Sequence, residues 1–254
     1  MPTAGVEFAK VSYTPDGGPS ILREISISLA QGTTTALLGR SGSGKTTLLR
    51  TVNGLVQPTS GEVTVHGKRA NRPGDIQQQI ASRRDIGYVI QETGLFPHMT
   101  VERNAVMSLE LAGRPKAERE TRAREVIEQV GLNFNQTRNR FPWQLSGGQR
   151  QRVGLARALA LDPPVMLMDE PFGALDPLTR SEMQGMFKEL QSQKKRTVLL
   201  VTHDLGEALY LADRVIILDK GEVVADLAEG EIAASENPHV KDYVSAVHHL
   251  IERL

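Results

Sequence analysis

The chain has 254 residues, enough to bury a substantial core without disulfides or a structural metal. Lys plus Arg number 30 and Asp plus Glu number 30, so no basic surplus argues for a nucleic-acid groove, and the absence of cysteine excludes disulfide frameworks and thiolate metal sites. The stretch from Met1 to Glu7 lacks the basic and apolar regions of a signal peptide, and the longest apolar runs fall far short of the about 20 residues that cross a bilayer, so the chain is expected in the cytoplasm, docked on a spanning partner if it serves a membrane.

Residues 6–13, 25–29 and 62–66 read as short strands with turn signals, and the alternation Glu62-Val63-Thr64-Val65 fits a half-buried antiparallel strand. Between them, a β-leaning run over 33–38 ends at a glycine-rich loop that opens a helix over 45–53. Apolar strands at 86–90, 165–168, 197–201 and 215–218 alternate with helical segments, the pattern of a mostly parallel sheet covered on both faces. Residues 100–160 carry no convincing strand, and the helical pattern over 119–130, stopped by Gly131, predicts an inserted helical lobe. A hairpin turn at Asp219-Lys220-Gly221-Glu222 leads into a strand over 223–227. Near the C-terminus Asn237 and Pro238 start a helix whose apolar stripe, Val240, Tyr243, Val244, Val247, Leu250, Ile251 and Leu254, either packs on the domain or offers a self-association face.

Gly39-Arg40-Ser41-Gly42-Ser43-Gly44-Lys45-Thr46, with Thr47 after it, matches the phosphate-binding loop. The glycines let successive backbone N–H groups turn inward around phosphates, and the following helix presents its positive end to the same anion. Lys45 supplies a charge for the β and γ phosphates and the Thr46 hydroxyl a magnesium ligand. This establishes nucleotide binding, which kinases, GTPases and helicase-type motors share.

The strand over 165–168 ends in Asp169-Glu170, a carboxylate pair that serves as a helix cap or, beside a phosphate loop, holds magnesium (Asp169) and polarises an attacking water (Glu170). Leu145-Ser146-Gly147-Gly148-Gln149 then opens a helix with a hydroxyl and bare backbone N–H groups, a second anion site. With this pentapeptide the chain resembles the ATP-binding subunits of ABC transporters, whose signature it is.

The resemblance covers nearly the whole chain and implies an α/β P-loop NTPase of RecA-like core, with an N-terminal antiparallel β subdomain and an inserted α-helical subdomain. The expected layout is a single cassette over 1–254, with core at 1–91 and 163–230, helical subdomain at about 92–162 and a C-terminal helical tail at 231–254. By the same resemblance, Tyr13 stacks on adenine, Gln91 senses magnesium and the water, Asp176 crosses the dimer interface and His203 contacts the γ-phosphate. A lone Tyr after a strand or a His at a strand end also serves plain packing. In the family each ATP lies between the phosphate loop of one subunit and the signature of its partner, which implies a head-to-tail homodimer, or a pair with a related subunit, loaded with ATP and Mg²⁺.

Relatives that act in DNA maintenance or translation carry a long coiled coil or two cassettes, features not seen here. The segment from Thr93 to Thr100 is expected to expose an apolar patch where the family receives a transmembrane permease at the cytoplasmic face of the membrane. The run over 86–91, followed by 94–98, most resembles importers of quaternary amines and osmoprotectants, which also use a solute-binding protein, and the run over 171–180 resembles importer subunits in general. Importers of an amino acid or sulfonate, or a soluble ATPase switch, are the competing readings. Many members of that subgroup carry a paired regulatory domain after the cassette, which is absent before Leu254.

Overall fold

The computed structural model describes residues 4–70 and 76–251, with side chains from Gly5 and Ile80 onwards in the two segments and up to Ala246. In chain order the elements are β1 (Ala4–Tyr13), β2 (Leu22–Ala30), β3 (Thr34–Leu38), α1 (Lys45–Val52), β4 (Ser60–Val65), β5 (Lys68–Arg69), α2 (Ile76–Arg84) and β6 (Ile86–Val89). Next come α3 (Val101–Ala105), α4 (Met107–Leu111), α5 (Lys116–Gln129), α6 (Phe134–Thr137), a 3₁₀ turn (Pro142–Gln144), α7 (Gly147–Leu159) and β7 (Val165–Asp169). The chain closes with α8 (Pro177–Gln193), β8 (Thr197–Val201), α9 (Leu205–Leu211), β9 (Arg214–Asp219), β10 (Glu222–Ala228), a 3₁₀ turn (Glu229–Glu231) and α10 (Pro238–Ile251). These divide into two compact units, one of Met1–Ser82 with Thr197–Leu254 and one of Arg83–Arg196.

In the first unit β2, β1, β4 and β5 form an antiparallel sheet. Alternation decides which face is inside: Leu22, Ile25, Ile27 and Leu29 of β2 are buried while the residues between them are exposed. Register shifts lie beside Lys10 and Glu24, both left-handed (φ 48° and 47°), and their amides donate to Ser26 Oγ (3.0 Å) and Ser12 Oγ (2.9 Å). These bulges twist the sheet without leaving a backbone donor unpaired.

The same unit holds β3 in parallel register with β8 on one side and β9 on the other, while β10 runs antiparallel to β9. Every residue of β3 and β8 is buried, Thr34 and Thr35 included, which is why the 197–201 run reads as continuous rather than alternating hydrophobes. The β9–β10 hairpin turns on Lys220 and Gly221 with φ of 47° and 83°, the left-handed pair of a type I′ turn. Asn237 starts α10: its Oδ1 accepts from His239 N (2.9 Å) and its Nδ2 donates to Val224 O (2.8 Å). Val240, Tyr243 and Val244 pack on a cluster that includes Leu205, Ala208 and Val215, so this part of the stripe packs on the domain. The side chains of Val247, Leu250 and Ile251, and Leu254 altogether, lie outside the described residues.

In the second unit β6 and β7 pair in parallel. The rest is helical, as the lack of strand signals predicts, and α5 ends before Gly131, whose φ is 72°. Val126 and Ile127 of α5 and Val153, Leu155 and Leu159 of α7 are buried in this unit.

Candidate nucleotide site

In the first unit, β3 delivers the chain into the phosphate loop. A Cβ on Gly39 would lie 2.4 Å from Leu218 O and 2.5 Å from Ser43 Oγ, and Gly44 has a φ of 104° with a Cβ position 2.9 Å from Leu22 Cδ2. Both positions therefore demand glycine. Gly221 N donates to Ser43 O (3.0 Å), so the β9–β10 hairpin braces the loop from behind. Lys45 is 7% exposed, and its Nζ donates to Gly39 O (2.7 Å) and Arg40 O (3.0 Å).

Gly44 caps α1 without a side chain. Ser43 Oγ is buried with no hydrogen-bond partner, a donor that a bound anion would satisfy. Gly42 and Ser41 are exposed at the loop's tip and Thr46 and Thr47 are half-buried in the first turn of α1. The residues present thus fit a phosphate group.

Register brings two further expected residues towards this loop. Leu37 is opposite Val201, and Thr202 N donates to Leu37 O (3.2 Å), so Gly39 and the exposed His203 leave the same ends of neighbouring strands. His203 is followed by a helix start in which Asp204 Oδ1 accepts from Glu207 N (3.1 Å). Tyr13, half-buried at the end of β1, accepts through its carbonyl from Ile21 N (2.8 Å), and Ile21 O lies 3.0 Å from the Cβ position of Gly44.

In the second unit the same register logic holds. Val89 is opposite Met168, so Gln91 and Glu170 emerge together, and Gln91 Nε2 donates to Glu170 Oε2 (3.3 Å). Asp169 is 2% exposed, with the Tyr88 hydroxyl 3.5 Å from its Oδ2. Glu170 has a φ of 44°. A glutamate pays strain to adopt that conformation, and such strain is held where the surrounding structure over-determines it. Among the described residues no group of three or more His, Cys, Asp or Glu is placed to hold a metal. Asp169, a buried carboxylate, with neutral oxygens and nucleotide phosphates beside it would be a donor set that suits magnesium.

The signature forms a reciprocal capping box: Ser146 Oγ accepts from Gln149 N (3.2 Å) and Gln149 Oε1 from Ser146 N (3.1 Å). Ser146 and Gly147 are exposed, and a Cβ on Gly147 would meet nothing within 4 Å, whereas one on Gly148 would meet the Thr179 methyl at 2.5 Å. Asp176 caps α8, its Oδ1 accepting from Thr179 N (3.1 Å), and hydrogen bonds from Thr179 hold its carboxyl below the ordinary value of 3.8.

Sequence reasoning missed the braces of this unit. Arg157 donates to Thr93 O (2.6 Å) and Gly94 O (2.7 Å), and burial lowers the pKa of its guanidinium. Asn104, fully buried, accepts from Phe96 N (2.8 Å) and donates to the carbonyls of Phe96, Met99 and Thr100. Leu95, Phe96 and Met99 are half-buried and Pro97 and His98 exposed, so the expected apolar patch is partly open. Gln151 Nε2 donates to Pro171 O, just beyond Glu170.

A phosphate loop on a parallel sheet, a strand-end Asp-Glu pair and a second helix start with an exposed hydroxyl and glycine define a nucleotide-binding cassette. The chain belongs to the ABC transporter family, whose model matches residues 22–173. It is 41% identical over 240 residues, 94% of this chain, to the glycine betaine/carnitine/choline transport ATP-binding protein OpuCA of Bacillus subtilis, and spans 62% of that protein. It is 46% identical over 202 residues, 80% of this chain, to the sulfate/thiosulfate import ATP-binding protein CysA of Mycobacterium tuberculosis, of which it spans 55%. Among solved structures it resembles the ATP-binding cassette MJ0796 in a dimeric post-hydrolysis state bound to ADP and Pi, with a TM-score of 0.80, 33% identity and coverage of 88% of this chain and 98% of that one.

Proposed function

We propose that the chain is the ATP-hydrolysing motor of an importer, two copies closing around ATP so that the phosphate loop of one and the signature of the other share each nucleotide. The supporting observation is Glu170, set by a strained left-handed backbone at the end of a buried strand with its carboxylate already engaged by Gln91. Lys45 exchanges its two carbonyl partners for β- and γ-phosphate oxygens, and Ser43 finds its missing partner there. From the second copy, Ser146 and the N–H groups of Gly147 and Gly148 meet the γ-phosphate. Tyr13 stacks on the adenine, His203 contacts the γ-phosphate, and Asp176 and Gln149 face the second copy.

In the chemical step Glu170 accepts a proton as water attacks the γ-phosphorus and the bond to the ADP oxygen breaks. Thr46, Asp169 and Gln91 would hold a magnesium ion, whose charge would offset that of the phosphates. Loss of the γ-phosphate removes the bridge, and the pair opens.

Docking on a permease through the Thr93–Thr100 segment would place the chain at the cytoplasmic face of the membrane. A quaternary amine or osmoprotectant is the cargo we favour, on the likeness to OpuCA; the likeness to CysA supports another small solute as the second reading, with the binding protein deciding between them.

Glu170→Gln tests the motor. Hydrolysis should fall about a hundredfold or more while ATP binds and drives a stable pair, seen by sedimentation. Normal turnover would remove Glu170 from this role.

A further inference from the structure

Trp143 has no part in any role assigned above. It is the chain's single tryptophan and is 72% exposed. Its ring lies parallel to that of Phe141, with centroids 6.2 Å apart and planes 8° from each other. The segment that carries it is braced: Phe141 N donates to Gln144 Oε1 (2.8 Å), Gln144 N to Phe141 O (2.9 Å), and Arg150 Nη1 to Leu145 O (2.7 Å). Pro142 and Leu145 on either side are buried. An indole is thus held in one place, backed by a second ring, with most of its surface given to water. Rigid exposed aromatics of this kind bind at low entropic cost.

Trp143 and Ser146 are three steps apart along the chain, at most about 11 Å. A nucleoside triphosphate whose terminal phosphate rests on Ser146 carries its base to a distance of the same order. We propose that Trp143, backed by Phe141, is a stacking platform for the base of the nucleotide held in the other copy's phosphate loop. This rests on the nucleotide-bridged pairing proposed above and assigns the base a second aromatic contact, supplied by the partner. Base stacking on an aromatic ring is tolerant of base identity, so the contact should strengthen nucleotide binding without choosing adenine.

The single tryptophan reports on itself. In Glu170→Gln protein, ATP and GTP should both change the Trp143 emission in step with pair formation measured by sedimentation, and tripolyphosphate, which has no base, should leave it unchanged. Trp143→Ala in that background should weaken the apparent ATP affinity roughly tenfold, with Trp143→Phe restoring most of it at an unchanged melting temperature. Pair formation with silent Trp143 emission and full affinity in Trp143→Ala would overturn the platform while leaving the pairing intact. An equal response to tripolyphosphate would place the indole against the partner's protein surface and also overturn it. Failure of ATP to form any pair would overturn the pairing itself.

Discussion

The phosphate loop and the signature segment are both glycine-bearing helix starts, and they are finished to different degrees. At α1 the cap is Gly44, which has no side chain, Lys45 is 7% exposed and Ser43 Oγ is buried without a partner. At α7 the capping box of Ser146 and Gln149 is closed within the chain, and Ser146 and Gly147 are exposed. The first start leaves one buried hydroxyl, Ser43 Oγ, that a ligand would satisfy; the second closes its cap within the chain and offers its outer surface. A loop that encloses phosphate can hold nucleotide alone, while a capped and exposed start acts only when something carries a phosphate to it. That asymmetry suits a nucleotide that binds first to one copy and then recruits the other.

Paired alanine substitutions sharpen the contrast most. Gly39→Ala drives a Cβ to 2.4 Å from Leu218 O, so the loop itself must shift, lowering stability by about 1–3 kcal/mol and weakening nucleotide binding by a single copy. Gly147→Ala meets nothing within 4 Å and adds a better helix former, so the melting temperature should hold or rise. If a phosphate from the other copy meets this surface, hydrolysis should still fall roughly a hundredfold. A Gly147→Ala protein with full turnover would break the comparison.

Lys45→Ala comes next. It removes a buried ammonium that now rests on Gly39 O and Arg40 O, and nucleotide affinity of the single copy should drop tens of fold, the worth of a charge-assisted contact. Equilibrium binding of a labelled ATP analogue checks it. Ser146→Ala should leave that affinity alone and cost about 1 kcal/mol of stability through the lost cap, measurable by urea denaturation, while reducing turnover. Equal effects of the two changes on single-copy affinity would erase the distinction between the sites.

The parts legible in sequence are those written in local pattern. Continuous apolar runs marked β7 and β8 because both faces of those strands are covered, a β-leaning run before the glycine loop marked β3, alternation marked β4, and Gly131 and Asn237 marked a helix end and a helix start. The motif residues stood out because their spacing is itself the chemistry. What stayed hidden depends on partners far along the chain. Arg157 braces Thr93 and Gly94, 64 and 63 positions away along the chain, through backbone carbonyls that any residue type would supply. Asn104 reads as an ordinary polar helix residue until its amide is seen pinning the Phe96–Thr100 turn. The left-handed backbone of Glu170 has no signature in residue type, since glutamate is not a residue that favours it.

The smallest effect separates the start of α8 from that of α1 by pH. Hydrogen bonds from Thr179 hold the Asp176 carboxyl below 3.8, so its ionised form is favoured in the folded chain. The sign follows: the stability this cap contributes is fully present above the carboxylate's ordinary range and is lost as pH falls through its depressed folded value. The cap of α1 carries no carboxylate, because Gly44 has no side chain. Acidification should therefore loosen the first turn of α8, seen as faster exchange of the Thr179 amide, before it alters the start of α1, and Asp176→Asn should abolish the pH dependence while keeping a neutral cap. Simultaneous loosening of both starts in the wild-type chain would mean that the acid transition is global and not seated in Asp176.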